Sequence, residues 1–428
     1  MERRLDVVVV GCGTAGTVAA TLLARQGHAV QLLEQAEQPS AIGAGIMLQH
    51  LGQQVVGALG VGEQLRERSR PIRGVDARTV SGRTVMDFGY ADVPGSVPAL
   101  GVHRGDLFTL LHEVSRAEPI RHEMGMEVTS VRPQGDRLAV HVQGRDREVA
   151  HCTDDLVVGA DGSRSRVRAS SGLTLRDHPY AYGALWAVVP DPEEIAVDQL
   201  YQCLRGTRSY LGVLPTGRGQ SSVFFSERVD RMEATTLRAG VAAWRARAEP
   251  FAGPYGELLD RVETLLPARY RDVVVRHPHR VVPGGRSAVV LTGDAAHAMS
   301  PQLGTGATLA LADAWALGAA IAAHDDLPAA LTTYEQRRRA HVRWYAWWTR
   351  LMMPAFQSEL LPLGWARDLL AEPMGRVPVV RRQLVTTLMG HRTSPWSTWQ
   401  ISDPGRGVRN RPMAQTCSAS LRRPGDRN

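Results

Sequence analysis

The amino end of the chain carries its strongest constraint. Asp6–Val10 is a short β-branched run, and Gly11-Cys12-Gly13-Thr14-Ala15-Gly16 follows it directly. A helical stretch runs on to about Gln26. A second strand, Ala29–Leu33, is then closed by Glu34, 18 residues after Gly16. A run such as Val7–Val10 suits a strand buried on both faces of a parallel sheet. Gly11 allows the tight turn, Gly13 lets backbone N–H groups approach a pyrophosphate, and Gly16 lets the helix pack closely on the strand. The helix N-terminus, with Thr14 and Ala15 in its first turn, offers unpaired N–H donors and partial positive charge. Glu34 is placed to accept hydrogen bonds from a ribose diol, and an acid there disfavours a 2′-phosphate. The pattern predicts a βαβ unit that holds a dinucleotide.

That unit occupies little of a 428-residue chain, so a second layer with its own core is expected. The formal charge of +7 hints at a nucleic-acid partner. Six Arg against two Asp in 403–428 supply more than half of it, so the basicity reads as a solvated tail and no nucleic-acid partner is expected. All 50 basic residues are Arg. Without lysine, a pyridoxal Schiff base, a lysine-dependent P-loop and a chloramine-forming halogenase are excluded. Cys12, Cys152, Cys203 and Cys417 lie far apart, with no CxxC and no paired His spacing. They read as free thiols in a reducing compartment, with no metal site. Val7–Val10 is too short for a signal peptide, and the longest apolar segment, Ala307–Ala323, contains Asp313 and falls short of a bilayer span. A cytoplasmic protein with no transmembrane segment is expected.

No second copy of the opening fingerprint occurs, but two other strand ends carry glycine and a carboxylate. Leu156–Ala160 runs into Asp161-Gly162. Ala288–Thr292 runs into Gly293-Asp294-Ala295-Ala296-His297, with Pro301 and Gly304-Thr305-Gly306 before the apolar helix that begins at Ala307. In each, a helix N-terminus follows a buried strand, as at a ligand crevice in an open α/β sheet. Between these landmarks, Arg73–Gly89 and Ala181–Phe225 hold short runs separated by Gly/Pro turns. Examples are Ala184–Val189, Gln199–Leu204, Tyr210–Leu214 and Ser222–Phe225, which predict an antiparallel sheet. A helical insert (about Ala234–Ala248 and Tyr255–Leu266) leads back, and Ala307–Met389 reads as mainly helical.

With three motifs in this order, the chain resembles the single-component FAD-dependent aromatic hydroxylases, the para-hydroxybenzoate hydroxylase-like family, over about residues 5–390. The resemblance implies an α/β fold: a Rossmann-like FAD domain, an inserted antiparallel-sheet substrate domain and a C-terminal helical region. The FAD-binding segments would be 1–72, 101–178 and 276–350, and the substrate-domain segments 73–100 and 179–275. C-terminal helices would fill 351–402, and 403–428 would be a disordered tail. By the same resemblance, Gly11, Gly13, Thr14, Ala15, Gly16 and Glu34 would hold the ADP half of FAD. Arg104, in His103-Arg104-Gly105-Asp106-Leu107, would contact its flavin side, and Asp294 the ribityl chain. Gly304, Thr305, Gly306 and Ala307 would face the flavin pyrimidine, and Asp161 and Gly162 would lie near the pyrophosphate. Two departures stand out. Thr305 and Thr308 replace the family's Gln and Asn, and Ser40 stands where an Arg is common.

The resemblance implies a monooxygenase. NADH or NADPH would reduce FAD, O2 would form a C4a-hydroperoxide, and one oxygen atom would pass to an aromatic or polycyclic small molecule. Two alternatives remain open: an FAD oxidase or desaturase without oxygen insertion, and a non-catalytic flavin-binding regulator. His50 and His297 are the candidate catalytic side chains, and Trp186, Tyr201, Tyr210 and Pro301 the candidate pocket residues. The cluster Trp344, Tyr345, Trp347, Trp348 reads as core or dimer packing, and Arg337–Arg339 as a solvated helix face. A monomer or homodimer fits.

Overall fold

The computed structural model describes residues 4–39, 43–144, 148–153, 155–284 and 286–401. Ser40, Cys417 and the tail 403–428 lie outside them. The β-branched runs assemble into a six-stranded sheet in the order His279–Val281, Ala288–Leu291, Leu156–Gly159, Asp6–Val10, Ala29–Glu34, Ile120–Met124. Every neighbouring pair is parallel except the first, which is antiparallel. The valines of the central strand explain its place. Val7 and Val9 pack against the helices Thr14–Arg25 and Gly306–Ala322, while Val8 and Val10 face the three-stranded meander of Glu127–Gln134, Arg137–Gln143 and Glu148–Thr153. Both faces are covered, so an unbroken apolar run is required.

A second sheet of seven strands runs Leu266–Val275, Thr174–Pro190, Gln220–Arg228, Ser209–Gly217, Gln199–Arg205, Gly74–Thr79, Thr84–Gly89. It departs from the expected antiparallel sheet at one place: Gln199–Arg205 pairs parallel with Gly74–Thr79. These two strands come from separate stretches of the chain, so no hairpin dictates their direction. Strand alternation gives the sheet two distinct faces. Leu185, Ala187, Tyr201, Cys203, Leu211 and Val213 form one core with Trp244 and Leu258 of the helical insert. Trp186, Leu204, Tyr210 and Phe224 face the other way, toward Met352 and Phe356.

The insert is more broken than its sequence predicts. Val229–Ala234 and Gly240–Ala248 are separated by a wide turn at Thr235–Ala239, because Gly240 takes a left-handed backbone (φ 68°). The C-terminal part is helical as expected: Gly306–Ala322, Leu327–Phe356, Leu361–Arg376 and Pro378–Leu388. Among the described residues no helix is long and apolar enough to cross a membrane.

The triplet Arg337–Arg339 needs correcting. Arg338 is buried, because it lies on the same stripe of its helix as Leu331, Tyr334, His341 and Tyr345, all of them buried. Its neighbour Arg339 is exposed. The aromatic cluster further along divides in the same manner: Tyr345 is fully buried, whereas Trp347 is half exposed.

Candidate functional site

The sheet order brings the sequence motifs together. Asp6–Val10, Leu156–Gly159 and Ala288–Leu291 are adjacent parallel strands, so Gly11, Asp161-Gly162 and Gly293-Asp294 all emerge at one carboxyl edge. Ligands of open α/β sheets bind at such an edge. Contacts between the three loops are close. Gly11 has φ 100°, and a Cβ there would lie 2.5 Å from the Ala160 carbonyl oxygen. A Cβ on Gly16 would run into the Gly11 carbonyl. One on Gly293 (φ 58°) would lie 3.0 Å from the Ala15 methyl and 3.3 Å from that of Ala310. Ala15, Ala160 and Ala310 form a small apolar cluster at this junction.

The cradle fits a dinucleotide. The helix Thr14–Arg25 starts at Gly13, which supplies no side-chain cap, and a Cβ added to Gly13 meets nothing within 4 Å. Its first-turn N–H groups, with no intrahelical acceptor, thus border open space. The helix Gly306–Ala322 is uncapped by Thr305 in the same way, and Gly306 also borders open space. Glu34 takes part in the turn itself: its Oε2 accepts from the Cys12 N–H (2.8 Å) and its Oε1 from that of Ala36 (2.9 Å). Each oxygen keeps a lone pair for a further donor. Arg104 opens the helix Arg104–Arg116, is exposed, and lays its stem over Gly43.

The two carboxylates of the strand-end motifs differ. Asp161 accepts from the Ser165 hydroxyl (2.5 Å) and from the N–H groups of Arg166 (2.7 Å) and Val167 (3.1 Å), so it caps the helix Arg166–Ser171. Burial pushes its carboxyl above the usual range, against the pull of those bonds. Asp294 is exposed at the mouth of the crevice. Beneath it lies a charge-paired arrangement that the sequence reading missed. Asp313, fully buried in the middle of the apolar helix, accepts from Gly293 N–H (2.7 Å) and Arg338 Nε (2.6 Å), and its Oδ2 lies 2.6 Å from His297 Nε2. Burial pushes its carboxyl up, but His297, Arg338 and the Gly293 N–H outweigh that and hold it well below the carboxylate range. A lone Asp within an apolar helix was the available signal, since a buried charge needs partners.

The candidate side chains therefore separate. His297 turns inward onto Asp313 with its ring almost covered, which places it in the support of the Gly293 loop, away from the crevice. His50 opens the helix His50–Ala58, with Nδ1 3.2 Å from His391 Nε2; burial and then His391 lower its pKa. Tyr201 lies on the outer face of the large sheet, its ring 4.8 Å from that of Tyr255, because alternation puts it with Cys203 against the insert. Trp186 and Tyr210 lie on the inner face. Both rings meet Phe224 (4.6 and 5.8 Å), and Trp186 Nε1 donates to the Tyr270 hydroxyl at 3.3 Å. Burial pushes the Tyr210 phenol up to about 12. Pro301 is exposed and opens the turn Pro301–Leu303 before Gly304 (φ 61°). Gln302 of that turn donates to Gln357 Oε1 (2.8 Å), and Gln357 donates to the Ser226 hydroxyl of the sheet (2.5 Å). Of the two departures, Thr308 uses its hydroxyl to accept from Gln49 N–H (3.2 Å), and Thr305 is buried at the helix cap. Among the described residues no cluster of His, Cys, Asp or Glu is arranged to hold a metal ion.

Comparison with known proteins agrees with this geometry. Residues 4–348 match the FAD binding domain family. The chain is 31% identical over 348 residues to an aurachin C monooxygenase/isomerase of Stigmatella aurantiaca, covering 79% of this chain and 86% of the relative. It is 27% identical over 375 residues to a probable 2-heptyl-3-hydroxy-4(1H)-quinolone synthase of Rhodococcus erythropolis, covering 87% and 92%. Among solved structures, the Klebsiella pneumoniae HpxO complex with FAD and uric acid superposes with a TM-score of 0.72 at 24% identity, over 91% of this chain and 98% of that one.

Proposed function

The chain belongs to the FAD binding domain family and is an FAD-dependent monooxygenase of the aromatic-hydroxylase type, and from that premise we propose a substrate, a set of co-substrates and a role for each site residue. The substrate is a flat, lipophilic, electron-rich aromatic or polycyclic heteroaromatic, with NADH or NADPH and O2 as co-substrates. One observation carries the reading: three glycine-bearing strand ends converge on a single edge, which suits one dinucleotide, and among the described residues no second such fold is formed for nicotinamide. Two relatives bear names that refer to aurachin C and to a quinolone, which supports a fused-ring substrate. So does the aromatic character of the inner face of the large sheet, where Trp186, Tyr210 and Phe224 cluster with Leu200, Leu204, Met352 and Phe356.

Within this proposal the N–H groups at Gly13–Gly16 hold the pyrophosphate, Glu34 accepts from the ribose diol, and Asp294 accepts from the ribityl chain. Arg104 contacts the flavin side. The uncapped N-terminus at Gly304–Ala307 presents fixed N–H dipoles to the pyrimidine edge, where reduction accumulates negative charge. Bound FAD supplies the transfer of electrons from the nicotinamide to O2 and the delivery of oxygen to the substrate. The chain's own part is to orient the ring against Trp186 and Phe224 and to exclude water. The protein acts in the cytoplasm.

Three readouts test the reading together: oxidation of NADH or NADPH, O2 uptake, and product mass across a panel of phenols, indoles and quinolones. A product heavier by about 16 mass units is expected, from one added oxygen atom. A product lighter by two hydrogens would identify an oxidase or desaturase. No substrate-dependent turnover across the panel would favour the regulator reading.

A further inference from the structure

The outer face of the large sheet carries a cavity of about 420 Å³, lined by none of the cofactor-edge residues. Its size falls within the roughly 300–1,000 Å³ of small-molecule sites. Two buried rings line it, Phe225 of the strand Gln220–Arg228 and Phe251 of the helical insert. Around them stand four guanidinium groups, those of Arg205, Arg208, Arg231 and Arg247, and one carboxylate, that of Glu227. Strand alternation explains the placement. Arg205 and Phe225 follow Leu204 and Phe224 in the chain, and because those two face inward, their neighbours face outward.

The charges of this cavity do not balance. Arg247 Nη2 donates to Glu227 Oε1 at 2.9 Å, and Glu227 is buried. Arg208 Nε pairs with Glu359 at 2.7 Å, and Glu359 is shared with Arg228. Arg205 and Arg231 have no carboxylate partner among the described residues. Arg205 is held by its flat face, with its guanidinium carbon 4.9 Å from the centre of the Phe251 ring. A guanidinium stacked in this way keeps the N–H donors along its edge for a ligand. Arg247 adds a further donor, since its Nε is buried without an acceptor.

We propose that the cavity binds a small organic dianion: a flat apolar body that carries a phosphate or two carboxylates. Two guanidinium groups without a counter-charge call for two negative charges, and their fork of donors matches the oxygens of either group. The two rings take the apolar body. A neutral ligand would leave the like charges of Arg205 and Arg231 facing one another beside apolar walls. The proposal does not rest on the substrate reading, because Trp186 and Tyr210 lie on the opposite face of the sheet.

The test is calorimetric titration of the full-length holoprotein with phenyl phosphate, phthalate and inorganic phosphate. At least one of the two aromatic probes should bind at a single site per chain and more tightly than inorganic phosphate. The tighter of the two tells a phosphate ester from a dicarboxylate. Arg205→Gln and Arg231→Gln should each weaken that probe by about tenfold or more, from the loss of charge-assisted hydrogen bonds. Their flavin spectra should be unchanged. Should a variant fail to fold, arginine modification of the wild type by phenylglyoxal decides: the bound probe should protect Arg205 and Arg231, as read by peptide mass spectrometry. Failure of both aromatic probes to bind, affinity unchanged in both variants, or modification that ignores the probe would overturn the proposal. Inorganic phosphate bound as tightly as the aromatic probes would overturn its organic part.

Discussion

The loops at Asp161-Gly162 and Gly293-Asp294 begin alike, each a glycine and a carboxylate at the end of a buried parallel strand, yet their acids end in opposite states. Asp161 spends both oxygens on its own helix, through Ser165, Arg166 N–H and Val167 N–H. Asp294 starts its helix with its side chain exposed, and the loop N–H at Gly293 donates to Asp313 below it. The acceptor for that N–H comes from a residue 20 positions away, and the Asp294 carboxylate is left exposed. The two motifs thus differ in whether the acid's oxygens are spent within the protein.

That contrast breaks most visibly at Asp313. Asp313→Asn should cost about 3–5 kcal/mol, since it leaves the buried Arg338 guanidinium without its counter-charge; chemical denaturation of the FAD-free protein measures this. The pH dependence follows the same group. Its folded pKa is depressed, so its stabilisation is complete above the unfolded value of about 3.9 and is lost as pH falls toward the folded one. Wild-type stability should therefore fall more steeply below about pH 4 than that of Asp313→Asn. Parallel slopes would show that the pair does not titrate as a buried ion.

Asp294→Ala should leave the FAD-free stability within about 0.5 kcal/mol and weaken FAD by roughly tenfold to a hundredfold, from the loss of one ribityl hydrogen bond of about 1–3 kcal/mol. Asp161→Ala should do the reverse, removing a helix cap worth about 1–2 kcal/mol of stability. Titration of FAD into each apoprotein, beside its denaturation curve, tests both. If the two variants behave alike, the difference in side-chain commitment has no functional meaning. The smallest effect is expected at Gly13, where a Cβ has room in the protein alone. Gly13→Ala should weaken FAD slightly and Gly13→Val more, without loss of fold. Equal FAD affinity in both would mean that Gly13 does not approach phosphate.

Much of the cofactor edge was legible in the residues because its signals are local. A glycine with φ 100° at a strand end, an uncapped helix start and an acid closing the next strand are each specified within a few positions. That the opening strand lies in a parallel sheet was readable from its apolar run, and the order of the three motif strands came from the structure. Other features needed the assembled fold. Whether Tyr201 or Trp186 faces the helical insert or the C-terminal helices depends on which layer covers each side of the sheet, and alternation alone does not say. Arg338 looked like part of a solvated triplet, but its partner Asp313 lies 25 residues away on another helix. In sequence, Leu361–Arg376 reads only as part of a mainly helical stretch. Gly364 against Thr207, and Arg367 against Ala355 and Phe356, fix which half meets water. Backbone conformation and hydrogen-bond supply are set by neighbours in the chain, whereas charge pairing and the choice of buried face are set by neighbours in space.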